Sequence, residues 1–343
     1  MIVTPMLPWW MILAVCYFGY NFFIIGVMVK DALKTSFAES GCTPIPIVLA
    51  LLAALPLQAG TIFFVWILPL WFPGRFRVGG ERIRAEEDSF DVMGIVAEGG
   101  GAFSYYLPRI SGTIPAVIIL PIFGGDDYRL ERYFARYFVK RGLAAIVVQR
   151  EKEEIVTDER VLNTLLYNSV LEGISVLNWV QSRPEINAER IAVFGVSMGA
   201  IRGALLAAID QRITAAVLAL VGGDLPHIIR HCQDGAWRGK GVSKKRAEYL
   251  KEKRITPAAF ERRLRKHIVW DPLEFAPYAD PNKILLVLAA LDRVIPFMKG
   301  LQLRHAMGKP KTIILPSGHY TAMIFLPFVR YAAYRFLKQK LGT

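Results

Sequence analysis

Arg190-Ile191-Ala192-Val193-Phe194-Gly195-Val196-Ser197-Met198-Gly199-Ala200-Ile201-Arg202-Gly203-Ala204-Leu205-Leu206-Ala207-Ala208 is the stretch on which the fold turns. Its first five residues read as a short buried strand, and its last nine as an alanine-rich helix. Between them stands Gly195-Val196-Ser197-Met198-Gly199, a G-x-S-x-G pentapeptide. In a strand–turn–helix context this pattern lifts the serine hydroxyl out of the end of a sheet. The two glycines leave room where side chains would collide with the neighbouring strand and helix. Glycine and serine are common, so the pattern gains its weight from that context.

A serine hydroxyl is a poor nucleophile near neutral pH and needs a base, itself oriented by a third group. The chain has five histidines, His227, His231, His267, His305 and His319. His319 follows the apolar run Thr312-Ile313-Ile314-Leu315, on a loop that leads into a predicted C-terminal helix from Tyr320 to about Gln339. Upstream, Lys283 to Ala290 reads as a buried strand ending in Leu291-Asp292-Arg293-Val294-Ile295-Pro296. The order Ser197, Asp292, His319 is the serine–acid–histidine order of α/β-hydrolases. Asp224, in Val221-Gly222-Gly223-Asp224 after the preceding predicted strand, is the competing acid.

From about Phe90 to the C-terminus the chain resembles an α/β-hydrolase, similar to bacterial esterases of the dienelactone-hydrolase and acetyl-xylan-esterase kind. The resemblance rests on the pentapeptide, on Leu291 to Pro296, on Gly318-His319, and on Leu120-Pro121-Ile122-Phe123-Gly124-Gly125 after an early strand. It implies Ser197 as nucleophile, His319 as base and Asp292 as the orienting acid. It also implies an oxyanion hole built from backbone N–H groups. Met198, directly after the nucleophile, supplies one; Phe123 supplies the other, with Gly124 as its alternative. Many relatives carry His-Gly where this chain has Pro121-Ile122. The expected reaction is carboxylic-ester hydrolysis, with lipid-like esters among the candidate substrates. Thioester and amide cleavage and acyl transfer stay open, as does a catalytically silent fold serving as a membrane-tethered interaction module.

Along the chain, strands and helices alternate as in a doubly wound, mostly parallel sheet. Strands are predicted at Ala116–Leu120, Leu143–Val148, Ile213–Leu220, Ile284 and Thr312, and helices at Asp126–Arg141 and Asn163–Gln181. A cap insertion is predicted at about 225–280. It is strongly basic: residues 225–270 hold thirteen Lys and Arg against four acids, nine of the chain's thirteen net positive charges. An even mix of signs is usual on a solvated face. The excess favours anionic lipid headgroups, with an anionic substrate as a further reading. No nucleic-acid-binding motif accompanies the charge.

The length, 343 residues, suits one catalytic domain and something extra. Hydrophobic residues make up 53% of the chain, and the excess lies at the N-terminus. No charged residue precedes Lys30, and none lies between Glu39 and Arg75. Both stretches exceed the roughly 20 residues that cross a bilayer. Two transmembrane helices are therefore expected within residues 1–74, at 5–29 and within 45–72, followed by a charged connector at 75–89 and the hydrolase domain at 90–343. Without an early Lys or Arg the first stretch is a poor signal peptide, and Glu39 stands wrongly for a lipoprotein site near Cys42. Arg75, Arg77, Arg82 and Arg84 after the second span place that flank in the cytoplasm. The expectation is a multi-pass membrane protein with a cytoplasmic catalytic domain. Three scattered cysteines, Cys16, Cys42 and Cys232, offer no disulfide framework. His227 and His231, four apart, are better read as part of a cap helix than as metal ligands, and neither metal nor cofactor is expected.

Overall fold

The computed structural model describes residues 89–96, 102–123, 128–149, 158–234 and 241–342. All of them lie in one unit, 80–343. Two expectations fall outside the described residues: the two apolar spans, and the charged connector up to residue 88. Among the described residues no helix is long and apolar enough to cross a membrane. The expectation of a multi-pass membrane protein is corrected accordingly. Nothing described supports transmembrane helices in the fold; the sequence reading rested on the hydropathy of the two stretches and on the basic flank that follows them.

The strands are β1 (Phe90–Val96), β2 (Ala102–Pro108), β3 (Ile114–Leu120), β4 (Ala144–Val148), β5 (Ile186–Val196), β6 (Ile213–Ala219), β7 (Ile284–Ala289) and β8 (Lys311–Leu315). They form one sheet in the order β1-β2-β4-β3-β5-β6-β7-β8. β1 pairs antiparallel with β2, and β2 antiparallel with β4; from β4 to β8 every pairing is parallel. Helices on both faces explain why β3, β4 and β7 are continuous apolar runs, buried at every position. The edges differ: four consecutive residues of β1 (Asp91 to Gly94) and Ile314 of β8 are exposed.

The helices are α1 (Arg129–Val139), α2 (Glu159–Gln181), α3 (Met198–Ile209), α4 (Leu225–His231), α5 (Val242–Lys253), α6 (Pro257–His267), the single turn α7 (Pro272–Phe275), α8 (Phe297–Ala306) and α9 (Leu326–Leu341). Alternate strand residues feed opposite faces, as the period of two requires. Val117, Ile119, Val147 and Phe194 pack with Phe134 and Phe138 of α1 and with Val329 and Phe336 of α9. Ile118, Ile146 and Val193 pack on the other face against Val176, Leu177 and Val180 of α2. Phe134 and Phe194 stand with ring centroids 4.3 Å apart. α2 begins at Glu159, four residues before the predicted start, because the Asp158 side chain accepts hydrogen bonds from the N–H groups of Arg160 and Val161. The predicted C-terminal helix divides into a 3₁₀ segment, Thr321–Phe325, followed by α9.

Helices α4 to α7 fill the connection between the neighbouring strands β6 and β7. Phe260 and Leu264 of α6 are fully buried, in the same cluster as Ala200, Ala204 and Ala208 of α3. Helix α5 buries no residue. The connection is tied down by charge. The Asp224 carboxylate meets Lys299 Nζ of α8 at 2.6 Å and an Arg265 guanidinium nitrogen of α6 at 2.9 Å. Glu261 bridges Arg230 and Arg265, at 2.5 and 2.6 Å. The buried Asp271 accepts the N–H groups of Asp224 and Leu225.

Candidate active site

The site lies at the carboxyl ends of β3, β5, β7 and β8, where ligands bind in open α/β sheets. β5 ends at Val196 and α3 starts at Met198, so Ser197 is the whole turn between them. Its φ of 54° and ψ of −120° lie in a region that residues with a Cβ rarely adopt. Three hydrogen bonds hold it there. Ser197 N–H donates to the Ala219 carbonyl at 2.8 Å, and the Ser197 carbonyl accepts from Ala200 and Ile201 N–H at 2.9 and 3.0 Å. A Cβ on Gly195 would overlap the Gly199 carbonyl, and one on Gly199 would overlap the Leu120 carbonyl. Both are backbone atoms of packed elements and cannot swing aside, which is why the turn needs glycine on each side.

Asp292 follows the end of β7, and His319 follows β8. The structure brings both to Ser197. His319 Nε2 stands 3.0 Å from Ser197 Oγ, and His319 Nδ1 stands 2.7 Å from Asp292 Oδ2. A carboxylate only accepts, so Nδ1 carries the proton and Nε2 presents its lone pair to the serine. The other Asp292 oxygen, Oδ1, accepts N–H groups of Val294 and Ile295 at 2.8 and 2.9 Å. These bonds fix the carboxylate before it meets the imidazole. The Asp292 side chain is 2% exposed and that of His319 9%, so water competes little for either bond.

Asp224, the competing acid, is placed elsewhere. It caps the start of α4 and is held between Lys299 and Arg265. Burial pushes its carboxyl up, but the hydrogen bonds and charges of Lys299 and Arg265 outweigh this and leave it below the usual carboxylate range. Sequence spacing cannot separate the two acids, since each follows a strand. The cations that claim Asp224 come from positions 41 and 75 residues further along.

Met198 is the first residue of α3, where a backbone N–H has no partner within the helix. Phe123 lines the same cavity as Ser197 and Met198. Gly124, the alternative donor, lies outside the described residues. The loop after β3 is held by a residue that sequence reading missed. Glu131 of α1 is 4% exposed, and its Oε1 accepts the Ile122 N–H at 2.8 Å. An acid near a helix N-terminus is ordinary, and nothing in the sequence marks this one as buried.

Above the serine lies a cavity of about 780 Å³, walled by α2, α4, the start of α5 and the segment after His319. Tyr320 stacks edge-on against His319, with centroids 5.5 Å apart. Cys232 faces this cavity, and burial, with the charge of Asp234, pushes its thiol up to about 12. It is therefore un-ionised near neutral pH and no rival nucleophile. His227 and His231 stack on each other at 4.0 Å. Among the described residues no group of three His, Cys, Asp or Glu side chains is arranged to hold a metal ion.

No family model and no curated protein matches this chain. Solved structures do. An acetyl xylan esterase from a Paenibacillus species aligns with a TM-score of 0.54 at 16% identity, over 76% of this chain and 92% of that one. The Pyrococcus furiosus esterase aligns at 0.53 and 15%, over 78% and 98%. An α/β-hydrolase from a Penicillium species aligns at 0.52 and 18%, over 74% and 99%. At such identities the likeness concerns the fold, which is that of the α/β-hydrolases.

Proposed function

We propose that this protein is a serine hydrolase that cleaves carboxylic esters through an acyl-enzyme. One observation carries the reading: His319 is held between Ser197 and Asp292 by bonds of 3.0 and 2.7 Å, one from each ring nitrogen. That arrangement polarises a serine and has little structural purpose of its own.

The step follows from the geometry. Ser197 Oγ attacks the ester carbonyl carbon as its proton passes to His319 Nε2, and the carbonyl oxygen takes up the electron pair. Asp292 stabilises the imidazolium that forms and keeps the ring in place. The Met198 and Phe123 N–H groups, which border the same cavity as Ser197, are the donors proposed for the developing oxyanion. Glu131 holds the loop that carries Phe123 by accepting the Ile122 N–H. Collapse of the tetrahedral intermediate breaks the ester C–O bond, and the leaving alkoxide takes the proton from His319. Water, deprotonated by the same histidine, then attacks the acyl carbon and releases the acid and Ser197.

Fluorophosphonate labelling of the intact chain tests this reading, with Ser197→Ala and His319→Ala alongside. Labelling of the parent protein that is lost in Ser197→Ala and falls steeply in His319→Ala is expected. Folded parent protein that resists labelling would overturn the proposal and leave the fold as a binding module.

A further inference from the structure

The cavity says more about the substrate than the catalytic side chains do. At roughly 30 Å³ for a water-sized group, its 780 Å³ has room for on the order of twenty-five such groups. An acetyl group would leave nearly all of it unfilled. The walls are mostly apolar, with Leu162 and Leu166 from α2, Ile228 and Ile229 from α4, and the aromatic rings of Phe123 and Tyr320.

Besides His319, three charged side chains line the cavity: Asp234, Arg202 and Lys245. The Asp234 carboxylate is taken up by the N–H groups of Val242 and Ser243 and by the Ser243 hydroxyl, which close the start of α5. Arg202 is 6% exposed. Lys245 is half exposed, with the equally exposed Glu248 carboxylate 3.9 Å away. A sugar placed here would give up its water for few hydrogen bonds, which costs free energy for every hydroxyl buried. A hydrocarbon arm gives up nothing of the kind, and each methylene buried favours binding about fourfold.

On the ester-hydrolase reading above, we infer that the substrate carries a long apolar arm, about eight carbons or more, which lies in this cavity between α2 and α4. A carbohydrate ester is the wrong chemistry for it. The arm belongs to the acyl or to the alcohol side of the ester, and paired substrate series tell which.

The experiment uses the full chain with p-nitrophenyl esters from acetyl to dodecanoyl, alkyl acetates of matching length, and an acetylated xyloside. In at least one series kcat/KM rises about tenfold or more between the shortest and the octyl member, and the xyloside is a poor substrate. Ile228→Trp and Leu166→Trp, which fill the cavity from α4 and from α2, lower the ratio of long-arm to short-arm kcat/KM. If one of them fails to fold, the other carries the test. Rates of Ser197 labelling by short- and long-chain alkyl fluorophosphonates give the same comparison without turnover. Flat or falling profiles in both series, a preference for the xyloside, or a chain-length profile that neither filled variant alters would each overturn the inference. Ser197 labelling separates the two levels. A labelled serine with a flat profile sinks only the long-arm inference, whereas an unlabelled one sinks the hydrolase reading beneath it.

Discussion

Replacing Ser197 by glycine removes the proposed nucleophile and should make the protein more stable than replacing it by alanine. Ser197 sits at φ 54°, ψ −120°. For a residue with a Cβ such a conformation costs of order 1–3 kcal/mol, and alanine bears that cost as serine does. Glycine does not, but it loosens the unfolded chain, which takes back about 0.4–1 kcal/mol. Both variants lose the same bond from Oγ to His319 Nε2, so that term cancels in the comparison. The net is about 1 kcal/mol in favour of Ser197→Gly, or a midpoint about 2–4 °C higher than that of Ser197→Ala for a unit of this size. Thermal and urea unfolding of the full chains, followed by circular dichroism in one buffer, measures the difference. A glycine variant no more stable than the alanine variant would refute the claim that the turn is strained. Both variants are expected to be inactive, so the measurement isolates the backbone from the chemistry.

Asp292→Asn should lower kcat by about 10³–10⁴ with the fold intact, because an amide cannot hold the same imidazole tautomer; esterase kinetics at saturating substrate check it. Glu131→Ala should lower kcat about tenfold or more through a loosened oxyanion loop. Glu131→Gln keeps an acceptor for Ile122 N–H and should recover most of the loss, with KM little changed in either. Asp224 makes its contribution to stability as a carboxylate. Its folded pKa lies below its ordinary value of 3.8, so that contribution is complete above the ordinary value and is lost as pH falls through the lower folded one. Asp271, pushed the other way by burial, works in the opposite sense. Asp224→Asn should therefore be less stable near neutral pH and show a shallower loss of stability in acid than the parent, as urea midpoints across the acid range would show.

The parallel core was legible in the sequence because doubly covered strands leave unbroken apolar runs: Ile118-Ile119-Leu120, Ala144 to Val148 and Ile284 to Ala289 all carry that mark. β1 and β2 carry a weaker one. They form an edge hairpin in which Asp91 to Gly94 face solvent, and their sequence did not read as two strands. α8 escaped notice because it buries little beyond Gly300 and Leu303, which leaves no stripe at a helical period. At the candidate site, the order of Ser197, Asp292 and His319 can be read from the chain, and so can the demand for glycine at 195 and 199. The allotment of the two acids cannot, because it depends on where Lys299 and Arg265 arrive. Nor can the burial of Glu131, which depends on how α1 lies under the loop after β3. Hydropathy misled in one respect: the apolar N-terminal stretches suggested a multi-pass membrane protein that the described structure does not support.

The connection from β6 to β7 is itself a crossover between paired parallel strands, a link that needs a dozen or more residues in any such fold. Here it runs from Leu220 to Lys283. The residues that would break the ester hang from β5, β7 and β8, whereas part of the wall that would choose the ester hangs from this crossover. New side chains on α4 and α5 would therefore alter that wall while Ser197, Asp292 and His319 stay on their own strand ends. Such a change would come through a segment that the sheet requires to exist but whose content it leaves largely unspecified.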